Sequence, residues 1–225
     1  GDVRALRSAR LIVANHVTQV DGLPLRLATP LATLMRETYR SSRLITRIVA
    51  AAFSPIYVPT PRAHRDDENS DQLTEVKRAV LAHLDSSRRP LLAFPEGSIT
   101  NGRCGLMRFH RFVFGLGVPV QPVALRMWAP LPLEADTVWD PLARNILFTL
   151  FQPFTIFDLI VLPTVAPAAS EDASAFAARI AQTIAAELDL PATSWATKDK
   201  AVHLQRVKAM GKRAWLKEHP RDLAS

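Results

Sequence analysis

The chain has 225 residues, 48% hydrophobic and 22% charged, with a formal net charge of +7. That balance excludes a disordered or fibrous chain and suits one domain with its own core. A single cysteine, Cys104, excludes an intrachain disulfide framework, and without a CxxC pair or a His/Cys cluster no metal site is expected.

The chain opens with Gly and enters an apolar strand over residues 10–14, without a signal peptide or spanning helix, so it reads as a piece of a longer protein. In "LIVANHVTQVDGLPL" that strand runs into a loop carrying His16 and Asp21, with four residues between them. A histidine beside a carboxylate is the pairing that makes a general base. The spacing alone is weak, because a hydrogen-bonded loop histidine and an N-cap aspartate would look the same. The following "GLPLRLATPLATLM", residues 22–35, reads as a helix.

A strand around Ile56–Val58 precedes the loop "PTPRAHRDDENSD". The next segment, residues 71–87, puts Leu73, Val76, Val80 and Leu84 on one helical face and stops against Arg88-Arg89-Pro90. A strand over residues 91–94 then meets "PEGSITNGR". Pro95 ends it, Gly97 and Gly102 allow tight backbone, and Ser98, Thr100, Asn101 and Arg103 offer donors. Such a loop suits an anion, and Arg103 has the geometry for a phosphate; a polar loop without a ligand is the alternative.

A further strand covers residues 118–125. The apolar run of residues 146–165 is about the length of a membrane span, but Gln152, Pro153 and Asp158 argue for a helix ending at Phe151 and a strand over 154–161. That helix is either interfacial or packed on the core, with core packing slightly favoured. "PTVAPAAS" is a loop, and residues 170–190 form a helix with Phe176, Ile180, Ile184 and Leu188 inward and Ser170 as its cap. From Lys198 to Arg221 eight basic residues face two acidic ones. Such a tail is a solvated helix or lies on an anionic membrane; with two tyrosines and no nucleic-acid-binding pattern, nucleic acid is not expected.

Strands alternating with helices give an α/β fold, a mixed, mostly parallel sheet flanked by helices. His16, Asp21 and Glu96 then fall just beyond the C-terminal ends of two strands, where open α/β sheets place their ligand crevices.

"NHVTQVD", "FPEGSITNGR" and "GVPVQPVALR", with its paired Pro119 and Pro122, resemble in the right order three signature blocks of the glycerolipid and lysophospholipid acyltransferase superfamily. The match covers about residues 9–190. For the remaining block, a basic residue after a short strand, Arg62 and Arg65 both qualify and Arg62 is preferred. "TNGRCGLMRF", "LFQPFTIF" and "DKAVHLQR" are also similar to the ancient ubiquitous protein subfamily of lipid-droplet and endoplasmic-reticulum proteins. The lysophosphatidylcholine acyltransferases are similar in the third and fourth blocks. Several members of the ancient ubiquitous protein subfamily depart from the Glu-Gly pair that this chain keeps as Glu96 and Gly97.

The resemblance implies a glycerolphosphate-acyltransferase-like sandwich in residues 1–195 and a basic helical extension in 196–225. It implies His16 as general base and Asp21 as its orienting acid, and substrate contacts from Arg62, Glu96, Gly97, Ser98, Asn101 and Arg103. Acyl-CoA would be the co-substrate, with no other cofactor, and a lysolipid or glycerol phosphate the acceptor. The expected setting is the cytosolic face of endoplasmic reticulum or lipid droplets, with ubiquitin-conjugating partners recruited by regions outside these residues. A scaffold without turnover is the competing expectation.

Overall fold

The computed structural model describes residues 2–37, 53–58, 71–131 and 142–211, together with 214 and 217. Its centre is β1, Leu11–Ala14, whose four apolar residues are all buried. A strand covered on both faces needs no polar alternation, and this one lies between two parallel neighbours, β4 (Leu91–Ala93) and β5 (Val120–Trp128). Beyond β4 follow β2 (Ala32–Arg36) and β3 (Pro55–Val58), both parallel. Beyond β5 lies β6 (Ile156–Val161), which runs antiparallel. Among the described residues the sheet therefore has the order β3-β2-β4-β1-β5-β6.

Among the described residues the α-helices are α1 (Ala5–Ser8), α2 (Gly22–Ala28), α3 (Asp71–Ser86), α4 (Leu142–Leu150), α5 (Ala173–Leu188) and α6 (Thr197–Met210). Alternation along β1 sorts them into layers. Leu11 and Val13 face a cluster with Val76, Val80 and Leu84 of α3 and Phe176, Ile180 and Ile184 of α5. Ile12 and Ala14 point the other way, onto Leu6 of α1 and Leu25 of α2. The result is a helix–sheet–helix sandwich around a mixed, mostly parallel sheet.

Five local expectations need correction. The helix read over residues 22–35 ends at Ala28, because Pro30 forces Thr29 into extended backbone (φ −154, ψ 141), and Ala32–Arg36 becomes the unforeseen β2. The strand expected over 118–125 begins at Val120 and continues to Trp128, while the one expected from 154 begins at Ile156. The cap of α5 is Asp172, whose carboxylate accepts the Ser174 and Ala175 N–H groups, rather than Ser170. Finally, among the described side chains of α4, Asn145 is buried and Phe148 half-buried while Leu147 and Leu150 are exposed, which fits the interfacial alternative better than core packing. No described helix is long and apolar enough to cross a membrane.

Burial separates these helices energetically. Ile180 is fully enclosed, so Ile180→Ala is expected to lower unfolding free energy by about 3 kcal/mol. Leu147→Ala on the open face of α4 should stay within about 0.5 kcal/mol. Urea denaturation followed by circular dichroism checks both.

Candidate active site

The backbone leaves the sheet at Ala14, and the next residue makes that exit rigid. Asn15 is buried; its Nδ2 donates to the Leu125 carbonyl at 2.9 Å and its Oδ1 accepts the Leu125 N–H at 2.8 Å. The side chain thus replaces one rung of the β1–β5 ladder beyond the last paired residue. His16 follows directly and is held on three sides. Its Nδ1 lies 2.9 Å from Asp21 Oδ2, its ring stacks on Phe94 with centroids 4.3 Å apart, and its backbone is tied to the loop after β4.

Asp21 has no exposure, and its carboxylate accepts everything within reach. The Val17 N–H donates at 2.6 Å, the Thr18 N–H at 2.9 Å, and the Thr18 hydroxyl closes the ring. Toward all of these N–H and O–H groups the carboxylate is the acceptor. The hydrogen between Asp21 and His16 therefore belongs to Nδ1, which leaves the Nε2 lone pair available; among the described residues Nε2 has no partner. One-fifth of the His16 side chain stays accessible, enough for a substrate proton to reach it.

The second loop is fastened to the first by a buried carboxylate. Glu96 Oε1 accepts the His16 N–H at 2.7 Å, and Oε2 accepts the Met107 N–H at 3.0 Å. Thr100 adds the return bond, its N–H reaching the His16 carbonyl at 2.8 Å. Gly102, at φ +68, completes the contact, because a Cβ there would stand 2.5 Å from Val17 Cγ1. Gly97 is likewise left-handed, at φ +65, against His110 and Thr197. The loops after β1 and β4 therefore form one unit.

Removal from water raises the Glu96 pKa from 4.5 to about 7, although two backbone N–H groups favour its charged form. Asp21 nearby adds to the rise and Lys200 opposes it. Both the Glu96–Gly97 peptide region and Ile99 are braced by α6. The Thr197 hydroxyl donates to the Glu96 carbonyl at 2.8 Å, and Lys200 Nζ donates to the Ile99 carbonyl.

The structure thus brings His16, Asp21, Glu96, Gly97 and Thr100 together. It encloses Glu96 completely, so its carboxylate ties loops rather than meeting a ligand. Asn101 spends its Oδ1 on the Arg103 and Cys104 N–H groups, at 3.0 and 3.3 Å, and shapes the turn that displays the exposed Arg103. Ser98 is half-buried in the same loop. Arg62 and Arg65 lie outside the described residues. Sequence reading did not single out Asn15, Thr18, Phe94 or Lys200. Asn15 and Thr18 stand in the same "NHVTQVD" and offered a signal; the pairing of Lys200 with Ile99 offered none. Among the described residues, no group of three or more His, Cys, Asp or Glu is placed to hold a metal.

Comparison with known proteins adds the chemical context. A family model described as Acyltransferase matches residues 3–126. The human "Lipid droplet-regulating VLDL assembly factor AUP1" is 30% identical over 201 residues, covering 88% of this chain and 45% of that protein. Rat "Lysophosphatidylcholine acyltransferase 2" is 29% identical over 201 residues, 86% of this chain and 35% of that protein. The crystal structure of the 1-acyl-sn-glycerophosphate acyltransferase PlsC from Thermotoga maritima aligns with 83% of this chain and 68% of its own, at TM-score 0.45 and 16% identity. The chain spans about half the length of the curated relatives it matches.

The geometry carries two expected outcomes. Gly102→Ala is expected to destabilise by about 2 kcal/mol, since the new methyl meets Val17 in left-handed backbone; thermal unfolding reads this. The native state holds the Glu96 proton more tightly than the unfolded chain between pH 4.5 and about 7. Its contribution to stability is full below that window and fades as pH rises through it. The stability of the native chain relative to Glu96→Gln should therefore fall by about 2 kcal/mol between pH 5 and pH 8, measured by denaturant titration of both proteins.

Proposed function

Because the chain belongs to the acyltransferase family, we propose that it moves a fatty acyl group from acyl-CoA to the hydroxyl of a lysophospholipid or glycerol phosphate, with His16 as general base. The supporting observation is the buried Asp21 carboxylate on His16 Nδ1, which leaves Nε2 as the proton acceptor of a side chain that is one-fifth accessible. Nε2 takes the proton of the acceptor hydroxyl as that oxygen attacks the thioester carbonyl. The tetrahedral intermediate collapses by breaking the C–S bond, and the departing sulfur takes the proton back from the imidazolium. Asp21 stabilises that imidazolium and fixes the ring, so the acceptor itself is the nucleophile and no serine is needed.

Arg103, displayed by the Asn101 turn, suits the acceptor phosphate, and the preferred Arg62 would join it. Ser98 supplies a further hydroxyl to that loop. Glu96 and Gly97 keep the loop against His16 and so act through position. The similarity to a relative named for lipid droplets supports a membrane or lipid-droplet setting, and the setting proposed with it is the cytosolic face of the endoplasmic reticulum.

That same similarity, to a protein named for lipid-droplet regulation and not for acyl transfer, favours a second reading, in which the fold serves as a lipid-surface scaffold with little turnover; a link to ubiquitin-dependent degradation through other regions would belong to that reading. Purified chain with labelled acyl-CoA and a panel of lysolipids separates the two. His16→Ala should lower kcat about 1,000-fold and Asp21→Asn about 100-fold or more, with KM for acyl-CoA little changed. Equal turnover in native chain and His16→Ala would sink the enzymatic reading and leave the scaffold.

A further inference from the structure

We infer that the apolar face formed by α4 and the projecting end of the β5–β6 ribbon docks on a phospholipid surface and sets the candidate catalytic edge against it. This deepens the acyl-transfer reading and rests on it for its purpose, though not for its physical argument. The face is exposed: Trp128 is 54% accessible, Leu147 59%, Leu150 71%, Phe151 70% and Phe154 54%. It is also continuous. Leu147, Leu150 and Phe151 share one helical side, Trp128 and Phe154 rings lie 5.8 Å apart, and Gln152 joins Leu131 to the end of α4.

An α-helix on a water-facing domain turns its large apolar groups inward, whereas α4 leaves Leu147 and Leu150 facing out while Asn145 is buried. Several large apolar groups on one surface mark a binding face. Three observations identify the occupant as lipid. First, Gln152 is already satisfied inside the patch, accepting the Leu131 N–H at 3.0 Å and donating to its carbonyl at 2.8 Å. The Thr149 hydroxyl donates to the Asn145 carbonyl at 2.9 Å. These groups lose little on leaving water, the requirement that hydrocarbon imposes.

Second, the exposed groups that form the patch, Trp128, Leu147, Leu150, Phe151 and Phe154, are aromatic or aliphatic, and the described charges bordering it, Arg126 and Asp158, are register partners across β5 and β6 at the base of the ribbon. A protein-binding surface carries a polar rim, whereas uncharged aromatic and aliphatic groups side by side suit the boundary between headgroups and acyl chains. Third, the position is right. The last pair of β1 is Ala14 with Val123, and parallel β5 continues five residues further to Trp128, about 17 Å at ~3.3 Å per residue. That overhang passes the same edge from which His16 emerges. Seating it in the headgroup layer brings the base to the depth at which an amphiphilic acceptor presents its hydroxyl.

The test is co-flotation of the full chain with phosphatidylcholine vesicles, which carry no net charge, at low salt and at about 0.5 M salt, where surface electrostatics are screened. Binding should persist in high salt and fall about tenfold or more in the triple variant Leu150→Ser, Phe151→Ser, Phe154→Ser, whose exposed positions leave thermal unfolding unchanged. Undiminished binding by the triple variant overturns the proposal. So does loss of native binding in high salt, which would assign the attachment to the basic C-terminal segment. A lipid-free dimer that the same substitutions dissociate would assign the face to a second copy and equally overturn it. Transfer to a short-chain lysolipid below its micellar concentration, without vesicles, isolates the chemistry: the triple variant keeps native turnover and His16→Ala loses it. Vesicle binding without turnover in any variant leaves the docking surface standing and removes only the enzymatic reading.

Discussion

The two loops of the candidate site depend on one enclosed carboxylate, that of Glu96. It takes an N–H from His16 after β1 and another from Met107 beyond β4, eleven residues along its own loop. Neither N–H has a partner in the sheet, because both strands have ended. An unpaired buried N–H is expensive, so a single side chain that satisfies two of them from different segments closes the edge of the sheet. Its own burial is the counterweight, and the raised pKa near 7 records it. With Glu96 in place, Thr100 can reach the His16 carbonyl and Gly102 can settle against Val17. Without it, the Thr100 bond to the His16 carbonyl would remain, but the His16 and Met107 N–H groups would both lose their acceptor.

Asp21 sits in a different electrostatic position although it is equally buried. It collects donors from residues three to five positions upstream, so the chain folds a tight anion-binding turn around its own carboxylate. Local donors make the anion comfortable, and the histidine becomes one more of them. Orientation of the His16 ring is thus a by-product of turn formation. Phe94 then limits the remaining freedom by lying nearly parallel to the ring, and it belongs to the segment that also presents Glu96. The two strand ends cooperate: one supplies the base and its acid, the other supplies a wall and a tie.

Much of this was legible in the residues. Leu11–Ala14 and Leu91–Ala93 are unbroken apolar runs, the pattern of strands covered on both faces, and each runs into a polar loop of distinctive composition. His16, Asp21 and Glu96 could be placed at strand ends for that reason. The helix read through Thr29 to Met35 shows where pattern fails. "ATPLATLM" fits a helix as well as a strand by spacing, and the decision came from Pro30 together with a place in the sheet beside β4. Asn15 stood in a recognisable motif, but its partner was not legible, because that depends on how far β5 outruns β1, a property of two segments 110 residues apart. The grip of Lys200 on Ile99 spans 101 residues and reflects how α6 docks, which no local pattern encodes.

The overhang of β5 connects these features. A central parallel strand has no reason to extend past its neighbours unless something pairs with the surplus, and β6 does so from Arg126–Asp158 to Trp128–Ile156. That pairing satisfies the backbone, and Met127, Trp128 and Ile156 at its end stay exposed beyond the sandwich. Asn15 grips Leu125 at the base of this ribbon, so the ribbon and the loop carrying His16 start from one hydrogen-bonded point. Any force that orients the apolar end of the ribbon therefore orients the histidine through a short, rigid path. Substrates with one oily and one polar end reward such an arrangement, because the surface that takes up the oily end also fixes the height at which the polar end meets the base.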